Sequence, residues 1–261
     1  MALTVFPVKA KRKNEKFDIF ETLEDTLRKN KQQLQDGDVL VISSKYVSNS
    51  QGRLVNIENV KSSERGKLIS KKFQIKQKMA EVIVRESDVI FGGVSGFVLT
   101  SSDDILAPNA GIDKSNAKKG KIILYPEDPF LIAEQIKRKI FLKYLIHVGI
   151  IIVDSRLMPA RVGTTGVAIA CAGIEPVIDM RAEKDLEGNP LKVTFQAVAD
   201  NLASIANHKM GEGSETQPFA IIRDSEAKLT DRKIKPMELA VSHDQCVYVR
   251  GLGNSFKRTK N

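Results

Sequence analysis

The chain has 261 residues, 42% of them hydrophobic, which points to a globular protein with a sizeable core in one large domain or two small ones. Its net charge of +9, from 41 Lys and Arg against 32 Asp and Glu, favours an anionic partner such as a nucleotide, a phosphorylated cofactor or nucleic acid. The absence of Trp, an aromatic content of only 6% and the lack of a zinc-finger or RNP1-like pattern count against nucleic acid, and no apolar run is long enough to cross a bilayer.

The opening MALTVFPVKAKRK has no long apolar stretch, so no secretory signal is expected. Cys171 and Cys246 form no CxxC and have no histidines clustered beside them, so reduced thiols and a cytoplasmic protein are expected. Residues 3–8 read as a strand, followed by the basic run Lys9, Lys11, Arg12, Lys13 and Lys16. That run fits a solvated loop or a phosphate-facing one. Ile19, Phe20, Leu23 and Leu27 fall at helical spacing. After the turn at Asp36, Gly37 and Asp38, residues 39–42 read as a buried strand ending in Ser43, Ser44 and Lys45, hydroxyls and an ammonium suited to an anion.

Residues 54–60 read as a further strand. Residues 62–86 read as a Lys-rich helical region burying Leu68, Ile69, Met79, Val82 and Ile83. The glycine-punctuated 89–100 reads as strands with tight turns. No GxGxxG opens a helix and no GxxxxGK[ST] occurs, which excludes a P-loop NTPase. The polar 108–116 loop precedes a strand over 121–125; Asp113 and Asn116 there are turn residues or ligands. Asp128 and Pro129 start a helix whose apolar stripe is Leu131, Ile132, Ile136, Ile140, Phe141 and Tyr144. Strand, helix and next strand then read as a right-handed crossover.

The stretch 150–173 organises the chain. Apolar residues 148–153 read as a strand buried on both faces, which stops at Asp154. Ser155, Arg156 and Arg161 follow, with Gly163 and Gly166, as a basic, Gly-rich turn. An acid there is either a turn cap or part of a metal or phosphate site at the carboxyl end of a sheet. Beyond it, 177–180 reads as a strand and 185–188 as a polar turn. Phe195, Val198, Leu202, Ile205 and Met210 mark a long helix, 219–223 is one more strand, and 256–261 is a basic tail. Glu212 and Glu215 lie just past the helix end, where the dipole is already negative, and want a cation. His147, His208 and His243 share no metal-like spacing. Alternating strands and helices give an α/β or mixed α+β class.

The segments GDVLVISSKYVSNSQGR (37–53), NAGIDKSN (109–116), VDSRLMPARVGTTGVAIACAG (153–173), AVADNLA (197–203) and MGEGSE (210–215) together resemble the coenzyme F420-0:L-glutamate ligase family, also called F420 gamma-glutamyl ligase. The resemblance covers most of the chain. It implies a two-domain, intertwined homodimer spanning 1–261, with two interleaved lobes whose boundary is not legible in the sequence. It also implies a GTP-dependent peptide synthase that joins L-glutamate to the phospholactyl carboxylate of a phosphorylated deazaflavin, F420-0, then adds another through the γ-carboxyl. Two divalent ions, Mg²⁺ or Mn²⁺, with K⁺, are implied cofactors. Asp113, Asp154, Ser155 and Glu212 match the family's metal positions. Ser43, Ser44, Lys45, Asn116, Met210, Gly211, Glu212, Gly213, Ser214, Glu215, Thr216 and Gln217 match its nucleotide positions, and Pro7, Val8 and Lys9 match less sharply. Ala170 stands where a glycine is expected, Ala182 replaces the glycine of an RG pair, and residues 9–16 are unusually basic.

The chemistry of the residues agrees. Asp113, Asp154 and Glu212 are hard oxygen donors suited to Mg²⁺ or Mn²⁺. Asp154, Arg156 and Arg161 are the expected catalytic residues, with Lys45 and both arginines as clamps for phosphates or substrate carboxylates. The alternatives are a ligase for another carboxylate acceptor, a basic nucleic-acid-binding protein and an inactive metal-binding paralogue.

Overall fold

The computed structural model describes residues 2–13, 15–102, 105–114, 120–181 and 183–253. In chain order the elements are β1 (Thr4–Val8), α1 (Ile19–Lys29), β2 (Val39–Ser43), α2 (Ser44–Gln51), β3 (Leu54–Asn56), α3 (Glu64–Phe73), α4 (Gln77–Glu86), β4 (Val89–Val94), β5 (Phe97–Ser102), β6 (Ile105–Pro108) and β7 (Lys121–Ile123). There follow α5 (Pro129–Tyr144), β8 (Gly149–Leu157), β9 (Thr164–Ala172), β10 (Val177–Asp179), β11 (Phe195–Ala197), α6 (Val198–Met210), β12 (Phe219–Arg223) and α7 (Val247–Gly253). The class is mixed α+β.

The main sheet has the order β1-β12-β2-β8-β9. Only β2 and β8 run parallel; the other neighbours are antiparallel. Alternation along the central strands covers both faces. Leu40, Ile42, Ile150 and Ile152 meet α1 and α5 through Leu23, Leu27, Ile136 and Ile140. Val39, Val41, Ile151 and Val153 meet α6 through Ala199, Leu202, Ala203 and Ala206. A third core joins α3 and α4 to the smaller sheets through Ile69, Phe73, Met79, Ile83, Val98 and Ile122.

Several expectations change. The strand of 148–153 does not stop at Asp154: β8 runs on to Leu157, with Asp154 opposite Val167 of β9. The Gly-rich part of the presumed turn is largely β9 itself, so a turn-cap role for Asp154 falls away. The strand expected over 54–60 ends at Asn56, whose side chain accepts from Glu58 N and starts a 3-10 turn. The 62–86 region is two helices, because Phe73 and Ile75 both enter the same core and residues two apart cannot share a face of one helix. Gln74, with φ 53°, makes the break.

Leu68 is 65% exposed, beside the buried line of Ile69 and Phe73. On α5 the buried line is Ala133, Ile136 and Ile140. Leu131 and Phe141 flank it in solvent, and Tyr144 lies past its end, where its hydroxyl donates to Glu24. Phe195 belongs to β11, not α6, and Ile205 faces solvent. The expected crossover through α5 does not join neighbours in one sheet: β7 pairs with β3, while β8 pairs with β2. Cys171 and Cys246 are both free thiols. No helix among the described residues is long and apolar enough to cross a membrane. Residues 256–261 and Ala182 lie outside the described residues.

Candidate active site

The parallel pairing of β2 with β8 sets Ser43 beside Val153, so the residues after them leave the sheet together. Ser44 begins α2 and Asp154 continues β8; Ser44 Oγ donates to Asp154 Oδ1 at 2.6 Å. A register shift against β9 between Ile152 and Val153 re-aims this part of β8. The side chains open into a cleft of about 640 Å³. Its walls include Ser43, Ser44, Lys45, Asp113, Asp154, Ser155, Arg156 and residues 210–217. Segments far apart in sequence are thus brought to one place by the sheet.

Each acid is tied to its own donors. Asp113 Oδ2 lies 2.5 Å from Lys45 Nζ. Asp154 Oδ2 lies 2.5 Å from Arg156 Nε, an ionic contact in which the N–H is not aligned on the oxygen. Glu212 Oε1 accepts from Ser155 Oγ at 2.7 Å, from Asn207 Nδ2 at 2.8 Å and from Thr164 Oγ1 at 3.4 Å. Arg156 is buried: Nη1 donates to Leu106 O at 2.6 Å, and the guanidinium stands 5.4 Å from the centre of the Tyr125 ring. It links the end of β8 to β6 and to the chain after β7.

Among the described residues no three acids, histidines or cysteines lie close enough together to enclose a metal ion. The donors are nonetheless hard oxygens in one cleft, and Mg²⁺ is commonly held by one or two carboxylates with substrate phosphates completing its shell. Asp113, Asp154 and Glu212 suit that mode and not a closed protein cage.

Two glycines allow this geometry. A Cβ on Gly166 of β9 would stand 2.6 Å from Ala203 O and 2.5 Å from Asn207 Cβ. Its absence lets α6 close on β9 and brings Asn207 to Glu212. Gly211 ends α6 at φ 80°, and a Cβ there would meet the Glu215 carboxylate carbon at 2.5 Å. Glu215 Oε2 accepts from Gly213 N at 2.8 Å, folding this segment on itself. The segment is anchored to both neighbours: Ala10 N donates to Thr216 O and Ser43 N to Pro218 O, each at 2.9 Å.

Burial acts on two further groups. The hydroxyl of Tyr46, on the cleft wall, is pushed up to about 12 by desolvation. Asp200 of α6 is held above the usual carboxylate range by burial, against the opposing effect of the Ala168 N–H that it accepts at 2.9 Å.

Other expected residues lie elsewhere. Pro7 and Val8 are in β1, opposite Ala220 and Phe219, and Val8 is fully buried. Lys9 is exposed, its carbonyl accepting from Asn30. Arg161 is exposed in the turn between β8 and β9, off the cleft wall. Asn116 lies outside the described residues. The basic run divides: Arg12 and Lys13 line the cleft, whereas Lys9, Lys11 and Lys16 do not. Asn207, Asn49, Tyr46 and Thr164 line it without having been singled out. Asn207 reaches Glu212 because α6 stops at Gly211, and only the spacing of an amide five residues before the acid hinted at it.

Comparison with known proteins completes the picture. The family model described as F420-0:Gamma-glutamyl ligase matches residues 7–224. The chain is 35% identical over 198 residues to the coenzyme F420:L-glutamate ligase of Methanopyrus kandleri, covering 76% of this chain and 79% of that protein. To the protein of the same name in Archaeoglobus fulgidus it is 33% identical over 224 residues, 85% of this chain and 88% of the relative. The corresponding protein of Methanocaldococcus jannaschii is 36% identical over 210 residues, 78% of this chain and 84% of the relative.

Proposed function

The chain belongs to the F420-0:Gamma-glutamyl ligase family, and from that premise we propose that it is a GTP-dependent ligase adding L-glutamate to the phospholactyl carboxylate of F420-0, and then a second through the γ-carboxyl. The observation that carries this reading is the meeting, in one cleft, of Ser43, Ser44, Lys45, residues 210–217 and the carboxylates Asp113, Asp154 and Glu212. Serine hydroxyls, a lysine and the first turn of α2 suit phosphates. Hard carboxylates suit the divalent ions that accompany them.

A carboxylate does not condense with an amine unaided at neutral pH. Transfer of the terminal phosphoryl group of GTP to the acceptor carboxylate gives an acyl phosphate, and the glutamate amine displaces phosphate from its acyl carbon. Lys45, the Ser43 hydroxyl and the backbone of Ser44 orient the triphosphate, the Ser44 hydroxyl being given to Asp154. Arg156, held by Leu106 and Tyr125, keeps Asp154 fixed in place. Asp113, Asp154, Ser155 and Glu212 would hold two Mg²⁺ or Mn²⁺ ions, with K⁺ assisting; such ions neutralise charge on the transferring group. The reading carries a cytoplasmic homodimer, for which the exposed apolar Leu157, Met158 and Val162 at and beyond the end of β8 would suit a subunit contact.

A second reading, a ligase for a different carboxylate acceptor, is favoured by one feature: Arg12 and Lys13 on the cleft wall suit a more anionic acceptor. One experiment separates the two. Purified protein is incubated with F420-0, L-glutamate and GTP or ATP, and products are weighed by mass spectrometry. Glutamylated F420 with GTP and far less with ATP is expected. GTP consumption without glutamylated F420, appearing only with another acceptor, moves the assignment to the second reading; equal turnover with ATP removes the GTP claim.

A further inference from the structure

Two of the cleft carboxylates already hold a basic partner, and the two pairs differ in freedom. Arg156, beside Asp154, has a side chain only 5% exposed, a hydrogen bond to Leu106 O and an aromatic ring against its guanidinium. Withdrawing it would leave a buried charge uncompensated. Lys45, beside Asp113, has a side chain 27% exposed, and Asp113 is 36% exposed. An ion pair partly open to water is weaker than a buried one, and a lysine head on its four-carbon stem can reorient where the Arg156 fork cannot. Lys45 also sits one residue after Ser44, at the start of α2, where anions are favoured.

We propose that Lys45 is a displaceable counter-ion for Asp113: a divalent cation reaching Asp113 takes the place of the ammonium, which then turns to the phosphates of the nucleotide. The proposal rests on the ligase reading for the nucleotide but not for the exchange itself. The carboxylate face that meets Lys45 Nζ at 2.5 Å cannot hold an ammonium and a metal ion together. Their like charges repel at that distance. Asp154 keeps Arg156 throughout, so the exchange is confined to Asp113. Metal and nucleotide therefore favour each other's binding, because each stabilises the arrangement in which Lys45 has left Asp113.

The signature is a pair of effects with opposite sign. Without Lys45, the metal no longer competes with that ammonium for Asp113, and the nucleotide loses a partner. Mn²⁺ alone is titrated into the full chain, for the parent and for Lys45→Met, Lys45→Arg and Asp113→Asn, and GDP is titrated separately. Lys45→Met is expected to bind Mn²⁺ roughly fivefold tighter than the parent, about the weight of one partly exposed ion pair, and GDP more weakly. Lys45→Arg keeps the charge and gains no Mn²⁺ affinity. Lys45→Gln carries the same expectation as Lys45→Met should the latter not fold. Unchanged or weaker Mn²⁺ binding in the neutral variants overturns the exchange, since a lysine that only bound phosphate would leave Mn²⁺ binding untouched. If the parent and Asp113→Asn bind Mn²⁺ equally, the metal assignment and the exchange fall together; if the parent binds through Asp113 and the neutral variants gain nothing, the exchange alone falls.

Discussion

Ser44 Oγ donates to Asp154 Oδ1 across 2.6 Å, although the two residues are 110 positions apart. The contact exists because β2 and β8 are parallel neighbours, so their carboxyl ends open on the same side of the sheet. It holds Asp154 at the mouth of the cleft, between a hydroxyl and the Arg156 guanidinium.

Asp154→Asn tests that position most directly. The amide keeps the shape and a hydrogen-bond acceptor for Ser44 but removes the charge. The expected outcome is a fall in kcat of roughly a thousandfold or more, about 4 kcal/mol of transition-state stabilisation. The metal-free variant should melt below the parent, because the buried Arg156 loses its counter-charge, and Mn²⁺ should no longer raise its melting temperature. Near-normal turnover, or an undiminished Mn²⁺ shift, would remove Asp154 from the metal assignment.

Gly166→Ala tests how the acid-bearing segment is placed. The new methyl would press on Ala203 O and Asn207 Cβ, both on α6, and neither can move without the helix. A loss of about 1–3 kcal/mol in denaturant unfolding is expected, typical of overpacking. Activity should fall further than stability alone explains, because Asn207 no longer meets Glu212. A variant as stable as the parent would mean that α6 does not rest on β9 as closely as described.

The division of the basic run predicts a division of effects. Replacing Arg12 and Lys13 together with Ala should raise KM for an anionic substrate severalfold and flatten its dependence on salt. Replacing Lys9 and Lys11 should do neither, since those side chains are off the cleft wall. Steady-state kinetics at low and high ionic strength decide between them; equal effects from both double variants would point to a diffuse field and not to contact.

Asp200 predicts a pH dependence of stability. Burial raises its carboxyl above the usual range, so the folded chain holds this proton more tightly than the unfolded chain. Its contribution to stability is therefore greatest in acid, below the ordinary carboxylate range. It falls as pH rises through that range to the folded value and stays low above it. Asp200→Asn can still accept from Ala168 N–H and carries no charge. Thermal melts should find it more stable than the parent at neutral pH, with the gain vanishing in acid. A variant that is less stable at neutral pH would show that the charged carboxylate is needed.

Much was legible in the sequence because it rests on short-range physics. Apolar runs set β2 and β8 as buried strands and 219–223 as a further strand, and Asp128 with Pro129 set the start of α5. Segments resembling one family marked Ser43, Ser44, Lys45, Asp113, Asp154, Ser155 and residues 210–217, all of which line one cleft. The sequence could not reveal that β8 passes through Asp154, because a polar residue ends an apolar run whether or not the strand continues on β9. Nor could it show which charge meets which. Lys45 meets Asp113, and Arg156 meets Asp154. Those pairings depend on strand order and on where β6 and the start of α2 lie against β8, which only long-range packing decides. The same holds for the basic run: its charge is a matter of composition, but the path of the chain beside the 210–217 segment, tied there by the bond from Ala10 to Thr216, puts Arg12 and Lys13 on the cleft wall and leaves Lys9 and Lys11 off it.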